Sequence, residues 1–79
     1  MKLLELFEKI EIALGLNTGS LTIESSSENT EDWDSLGHII ILDALDDATS
    51  GVSADITELT QATSVSEIVE ILTDRGLLD

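Results

Sequence analysis

The stretch DSLGHIIILDALDDA, residues 34–48, decides the fold of this chain. When successive residues are turned by about 100°, its side chains separate onto two sides of a helix. One side is a core face of Ile41, Leu42 and Leu45, with Ile39 at its edge. The opposite side, called the outer stripe below, consists of Leu36, Ile40, Asp43 and Asp47. With Asp34 as a suitable N-cap, these residues predict a helix over 35–48. The mixed composition of the outer stripe is unusual for a purely solvated face.

A first helix is predicted over residues 3–14. Its apolar residues recur at helical spacing on one stripe; they are Leu3, Leu6, Phe7, Ile10 and Leu14. Gly15 is a plausible stop. Ile12 falls outside the stripe.

The last helix is predicted to begin at the capping-box pattern Ser64-Val65-Ser66-Glu67. Its core face consists of Val65, Ile68, Val69 and Leu72. Arg75 lies in its last turn, where a cation suits the helix dipole, and Gly76 ends it. A short helix around residues 55–60 would bury Ile56 and Leu59.

Together these segments predict an all-α fold in a single domain over residues 1–79. We expect a small four-helix bundle with three longer helices, one short third helix and a long loop between helices 1 and 2. That loop, residues 16–33, is rich in Ser, Thr, Asn and Glu. Loops of this length are uncommon unless they are functional or tied down. We expect Leu16, Leu21 and Ile23 to pin it to the core and Trp33 to anchor its end.

Composition and charge exclude several classes of function. The chain has 79 residues, 17 acidic and 3 basic, for a net charge of −14. Binding to nucleic acid or to anionic membranes requires basic residues, whereas basic protein surfaces are suitable partners. The chain has no cysteine and one histidine, which excludes Cys-based and multi-His metal sites. No signal peptide or membrane-spanning run is visible, so we expect a soluble, cytoplasmic monomer.

The residues at the start of the second helix are compatible with three kinds of chemistry. Ser35 and His38 are close in sequence, but no Gly-x-Ser-x-Gly elbow surrounds the serine, and so small a chain encloses no deep cleft. Asp32, Asp34 and Asp43 resemble part of a calcium loop, but Leu36 stands where an oxygen ligand is needed. The third possibility is a phosphodiester-linked group on Ser35, because a helix start stabilises an attached phosphate. From composition alone, that possibility and a purely structural Ser35 remain equally open.

The stretch Trp33-Asp34-Ser35-Leu36-Gly37-His38-Ile39 resembles the acyl carrier protein family. The family motif is an Asp-Ser-Leu triplet at the start of the second helix. Further similarities are the central position of the serine and the acidic balance of the chain. The stretch Ala44-Leu45-Asp46-Asp47 resembles the acidic end of the family's second helix, and Thr63-Ser64-Val65 resembles the entry to its last helix. The resemblance covers nearly the whole chain and is clearest from Trp33 to Asp47.

The resemblance implies a role for each matching residue. Ser35 would carry a covalent 4′-phosphopantetheine arm, added from coenzyme A by a magnesium-dependent phosphopantetheinyl transferase. Asp34 would assist recognition by that transferase, and Leu36 would be an apolar contact beside the arm. Ile40, Asp43 and Asp47 would face acyl-transferring or acyl-activating enzymes with basic surfaces. The arm's thiol would hold acyl intermediates as thioesters, in fatty-acid synthesis or a specialised polyketide-like, secondary-metabolite or surface-polysaccharide pathway. The chain itself would not be an enzyme.

Three positions depart from the family pattern. Ile40 stands where acidic or polar residues are common, Asp43 where Met is common, and Ala48 where many members have Phe. These differences favour a specialised carrier over a housekeeping one. The alternatives are an aminoacyl or peptidyl carrier, and a non-catalytic acidic interaction module that keeps the fold without the arm.

Overall fold

The structure, a computed structural model, describes all 79 residues. Helix α1 spans Leu3–Leu14, helix α2 spans Ser35–Ala48 and helix α3 spans Val65–Asp74. Two short 3₁₀ helices, Val52–Asp55 and Thr57–Gln61, lie between α2 and α3. The only β-type pairing is an isolated bridge between Ser26 and Ser64. The all-α prediction is confirmed, but the structure has three α-helices rather than four.

The predicted short third helix is replaced by the two 3₁₀ helices. Their hydrogen bonds join residues three apart, as in the bonds from the Leu59 amide to the Ile56 carbonyl (3.2 Å) and from the Ala62 amide to the Leu59 carbonyl (3.3 Å). Ile56 itself has an extended backbone, with φ −98° and ψ 94°, which separates the two turns. Ile56 and Leu59 are nevertheless buried, as predicted. A spacing of three residues fits both helix types, so the apolar pattern alone did not distinguish them.

The core is formed by the predicted faces of the three α-helices. The side chains with no exposed surface in these helices are Leu6, Ile10, Ile41, Leu45, Val65, Ile68 and Leu72. Phe7, Leu42 and Val69 are only half-buried and pack against this core. Leu3, predicted to lie on the core stripe, is exposed in the first residue of α1. Each helix therefore buries the centre of its apolar stripe and leaves an edge in contact with solvent.

A buried carboxylate ties the long loop to α1. Glu11 is 3 % exposed, and its Oε2 accepts hydrogen bonds from the backbone amides of Gly19 (2.9 Å) and Leu21 (3.0 Å). Leu21 is buried, as predicted, and Leu16 is half-buried. The prediction for Ile23 is wrong. This residue is exposed because it lies at the corner of a turn closed by the hydrogen bond from the Ser25 amide to the Thr22 carbonyl.

The residues that cap α3 also form hydrogen bonds with the segment just before the helix. The Ser64 hydroxyl accepts from the Glu67 amide (3.2 Å), as the capping-box pattern predicts. The Glu67 carboxylate reaches back to the hydroxyls of Thr63 (3.0 Å) and Ser64 (3.1 Å). These hydrogen bonds, that from Thr63 first, lower the pKa of Glu67 below its usual value. The same segment receives the long loop, because the Ser27 amide donates to the Thr63 carbonyl (2.8 Å).

Helix α3 ends at Asp74, so Arg75 is its C-cap and does not lie in the last turn, where the sequence analysis expects it. Gly76 has a left-handed φ of 71°, which suits a residue just beyond a helix. Arg75 caps α3 and pairs with the exposed Glu58 at 2.9 Å, an arrangement that contributes little to stability at the surface. No helix in the structure combines the length and apolar composition that crossing a bilayer requires.

Candidate functional site

Ser35 is the first residue of α2 and is exposed. The helix start is fixed by Asp34, whose Oδ1 accepts from the Gly37 amide (2.8 Å) and whose carbonyl accepts from the His38 amide (2.8 Å). Asp34 is therefore the N-cap that the sequence predicts. The Ser35 hydroxyl and the amides of Ser35 and Leu36 make no hydrogen bond within the chain. A firmly capped helix thus presents a free hydroxyl beside two free N–H donors.

Gly37 allows the preceding loop to pack directly against the first turn of α2. A Cβ atom at this position would overlap the carbonyl oxygen of Asp32 and lie 3.0 Å from Cδ2 of Leu14. The backbone of the loop and the end of α1 both need the space that the missing side chain leaves. Gly37 therefore helps to set the position of Ser35. This role of Gly37 could not be predicted from the sequence.

A groove of about 720 Å³ opens beside Ser35, between the first turns of α2 and the segment before α3. Its lining residues are Ser27, Trp33, Asp34, Ser35, His38, Ile39, Leu42, Thr60, Gln61, Ala62 and Thr63. Only 4 of these 11 are hydrophobic. Apolar atoms nevertheless make up more of the groove's surface than polar atoms do, so the groove next to the serine hydroxyl is amphipathic.

Trp33 and His38 form the inner wall of this groove. Their rings lie nearly parallel and meet edge to edge, with centroids 6.1 Å apart and planes at 11°. The indole Nε1 donates to His38 Nδ1 (3.1 Å), and His38 Nε2 lies 2.9 Å from the Leu59 carbonyl oxygen. Because indole N–H can only donate and a carbonyl can only accept, the imidazole carries its proton on Nε2. Trp33 is 2 % exposed and His38 is half-buried, which confirms that both are packing residues.

The geometry supports neither a nucleophilic pair of Ser35 and His38 nor a calcium-binding loop. Both ring nitrogens of His38 are engaged elsewhere, and no hydrogen bond joins it to Ser35. The residues from Asp32 to Asp43 do not wrap around a cation, because α2 runs without interruption from Ser35. The structure contains no cluster of three or more His, Asp or Glu side chains arranged to hold a metal ion.

The outer stripe lies on the surface of α2. Leu36 and Ile40 are 66 % and 42 % exposed, and Asp43 and Asp47 are exposed as well. The prediction for Ile39, expected at the edge of the core, is wrong, since this side chain is 61 % exposed. The segment before α3 lies on the other side of the groove and does not cover Ile39. Ile39 therefore lines the groove instead. The start of α2 consequently exposes three large apolar side chains around Ser35.

Very little of the chain's negative charge is neutralised by ion pairs within the molecule. The net charge is −14, and only two ion pairs form, between Lys2 and Asp79 (3.5 Å) and between Arg75 and Glu58 (2.9 Å). Helix α2 carries three aspartates in its second half and no basic residue. Such a surface attracts basic partners and repels phosphate backbones.

Sequence reasoning located Ser35, its cap and the outer stripe, but missed the parts of the site that depend on distant contacts. The Glu11 carboxylate, the crowding at Gly37 and the hydrogen bond from His38 to Leu59 each join residues far apart in the chain. For Glu11, the only signal in the sequence was its helical spacing, four residues after Phe7 and three before Leu14. Comparisons of the chain with protein-family models, curated proteins and solved structures found no match.

Proposed function

We propose that this chain is a carrier protein on which Ser35 holds a 4′-phosphopantetheine arm. The observation that carries this proposal is the exposed Ser35 hydroxyl, which has no partner within the chain and stands at a capped helix start beside an open groove. A phosphodiester at this position would have solvent on one side and the free amides of Ser35 and Leu36 on the other. The residues present therefore fit the group.

The arm would supply a terminal thiol, which binds an acyl group as a thioester. This chain's own residues would do the positioning. Ser35 Oγ is the point of attachment, Asp34 fixes the helix start that presents it, and Gly37 lets the loop pack behind it. No residue near Ser35 is arranged as a general base, so the attachment would depend on the transferase. The proposed role is that of a substrate carrier, not of an enzyme.

The partners would be enzymes with basic surfaces that dock on α2. The outer stripe offers Leu36 and Ile40 for apolar contact and Asp43 and Asp47 for ionic contact. Opposite charges speed encounter and orient the partners, while the apolar contacts slow dissociation. Because the arm comes from coenzyme A, such a carrier would act in the cytoplasm. It would be a monomer that binds one enzyme after another.

The first prediction concerns the attachment site. Incubation with coenzyme A, magnesium and a phosphopantetheinyl transferase of broad specificity should raise the intact mass by one phosphopantetheine. The Ser35→Ala variant should gain nothing, because no other serine follows the capping aspartate at the start of α2. Intact mass spectrometry of both proteins measures the difference directly.

Ser66→Ala is the matched control, since Ser66 is also an exposed serine in the first turn of a helix. It should be modified to the same extent as the wild-type chain. If two transferases of different specificity both leave the folded wild-type chain unmodified, while modifying a known carrier alongside it, the proposal is wrong. An acidic interaction module without an arm would then be the better description.

The second prediction concerns the outer stripe. Leu36→Ala and Ile40→Glu should each slow modification at least several-fold, because partners lose an exposed apolar contact near the serine. Their melting temperatures should stay within about 2–4 °C of wild type, since surface substitutions usually change stability by less than about 0.5 kcal/mol. Initial rates of mass gain and thermal unfolding measure the two effects separately.

Ile12→Glu is the control for this comparison, because Ile12 is 78 % exposed on α1 and away from the stripe. It should affect neither rate nor melting temperature. A large loss of thermal stability in Leu36→Ala or Ile40→Glu would instead place that side chain in the core and remove it from the docking surface.

A further inference from the structure

We infer that His38 is a positioning residue that makes the presentation of Ser35 sensitive to pH. In its neutral form it links the loop before α2 to the second 3₁₀ helix, and a second proton on its ring breaks that link. This inference rests on the proposed function, because it concerns the serine that would carry the arm. It adds a condition under which that serine is presented to a partner enzyme.

The two ring nitrogens of His38 are bound by groups of opposite kind. The Trp33 indole Nε1 donates to Nδ1 (3.1 Å), and Nε2 lies 2.9 Å from the Leu59 carbonyl oxygen. The two rings meet edge to edge with their planes at 11°, so the indole N–H reaches Nδ1 close to the plane of the imidazole. An indole N–H cannot accept and a carbonyl cannot donate. Only the neutral imidazole with its proton on Nε2 satisfies both partners.

A second proton on the imidazole would occupy Nδ1. Both nitrogens of an imidazolium are donors, so two N–H groups would face each other across the 3.1 Å between Trp33 and His38. Trp33 is 2 % exposed, which leaves its indole N–H little access to water as a replacement acceptor. Because a buried donor without an acceptor is unfavourable, we expect the contact between the two rings to open.

No charged group is placed to hold the protonated ring where it stands. The acidic residues on the segments that meet around His38 are Glu31, Asp32, Asp34, Glu58 and Glu67. The only two ion pairs in the molecule do not involve His38. The Glu58 carboxylate pairs with Arg75, and the Glu67 carboxylate accepts from Thr63 and Ser64.

Of these acidic residues, only Asp34 lines the groove together with His38. Its Oδ1 already accepts from the Gly37 amide and caps α2. An imidazolium that turned towards Asp34 would leave the Leu59 carbonyl without its donor and would compete with the cap. Either response to the second proton therefore changes the contacts at the start of α2.

The link adjoins Ser35 on both sides in the sequence. Trp33 immediately precedes the Asp34 cap, and the Asp34 carbonyl accepts from the His38 amide (2.8 Å), so Ser35 lies within the turn that these residues close. Opening the contact between Trp33 and His38 would disturb this turn. An enzyme that requires Ser35 in a fixed position would then modify it more slowly.

A pH titration of the full chain, followed by NMR, tests the link directly. Imidazole is the side chain that ordinarily gains a proton between about pH 8 and pH 5, and His38 is the chain's only histidine. The signals followed are the His38 ring nitrogens, the Trp33 indole N–H and the backbone amides of Ser35 and Leu36. At the upper end of the range, the ring should be neutral and protonated on Nε2. As it takes up the second proton, the indole proton should move upfield to the position of an unbonded indole. The two amides should shift with the same midpoint.

Two variants separate the loss of the link from the effect of charge alone. Trp33→Phe keeps an aromatic ring but has no N–H, so His38 can take up a proton without facing a donor. The Ser35 and Leu36 amides should then shift less than half as far as in the wild-type chain. His38→Gln has no titrating ring, so the indole and both amides should keep their positions throughout the range.

The inference is overturned if the indole proton keeps its bonded position while the ring titrates. It is also overturned if the amides of Ser35 and Leu36 shift as far in Trp33→Phe as in the wild-type chain. If Trp33→Phe does not fold, the comparison of the wild-type chain with His38→Gln decides the question, because the indole signal reports on the link in both proteins.

The consequence for modification is measured as a ratio of rates. The rate of mass gain with coenzyme A, magnesium and one transferase is determined for the wild-type chain and for His38→Gln at about pH 8 and at about pH 5.5. The transferase's own pH dependence cancels in the ratio of the two rates. The ratio of wild type to His38→Gln should fall several-fold at the lower pH, and an unchanged ratio would contradict the inference.

Failure of the proposed function would look different from failure of this inference. The NMR titration needs no transferase, so it reports on His38 even if the wild-type chain accepts no arm. Conversely, a chain that gains phosphopantetheine while its indole and amide signals ignore the titration of His38 would keep the carrier function and lose the inference.

Discussion

Replacing Gly37 with alanine is expected to destabilise the protein more than an alanine at any other glycine of the chain. The new Cβ would overlap the Asp32 carbonyl oxygen and press on Leu14, so either the loop or the end of α1 must move away. Overpacking of this kind costs about 3 kcal/mol. Alanine's better helix propensity offsets only about 0.5–1 kcal/mol of that. For a domain of this size, the net loss lowers the melting temperature by roughly 10 °C or more.

Gly15→Ala provides the matched control for this substitution. Gly15 has a left-handed φ of 71°, but a Cβ there would meet nothing within 4 Å. It should cost only the backbone strain of about 1 kcal/mol. Thermal unfolding should show a larger loss of stability in Gly37→Ala than in Gly15→Ala, and only Gly37→Ala should slow phosphopantetheine transfer. Equal melting temperatures would mean that the loop before Ser35 yields without cost and does not position the serine.

Replacing Glu11 with alanine is expected to release the long loop. Its Oε2 is the only acceptor for the amides of Gly19 and Leu21, and Leu21 is buried. Without the carboxylate, these N–H groups lose charged hydrogen bonds, at a cost of about 3 kcal/mol. Denaturant unfolding measures the loss. Hydrogen exchange should show the Gly19 and Leu21 amides becoming unprotected before the rest of the chain.

Two further variants separate this effect from a general loss of charge on α1. Glu11→Gln keeps an acceptor oxygen and should cost about 1 kcal/mol. Glu8→Ala removes an exposed carboxylate from the same helix and should change stability by less than about 0.5 kcal/mol. If Glu11→Ala and Glu8→Ala prove equally mild, the loop is held by its apolar contacts instead.

The helices were predictable because their signals are local. Apolar spacing gave α1 and α2 their bounds, and the side chains of Asp34 and Ser64 cap α2 and α3 as their sequence positions suggest. The region after α2 was not predictable in the same way. Its apolar residues are three apart, which α and 3₁₀ turns both accommodate, and the choice between them depends on how the chain closes over the core.

The same distinction applies to the candidate site. The outer stripe and the place of Ser35 at a capped helix start follow from the turn of one helix and could be derived from the sequence. The groove could not, because its two sides belong to α2 and to residues 60–63, more than 20 positions later. Ile39 was misplaced for this reason. Its position on the helix suits the core, and only the separation of the two sides leaves it exposed.

The indole on the inner wall of the groove belongs to the chain's only tryptophan, and the chain has no tyrosine. Its fluorescence therefore originates from a single, defined point beside Ser35. Water entering the groove, a change in the His38 hydrogen bond or the arrival of a ligand would each alter the surroundings of that one indole. The molecule thus contains an intrinsic optical reporter of its own candidate site, readable without any label.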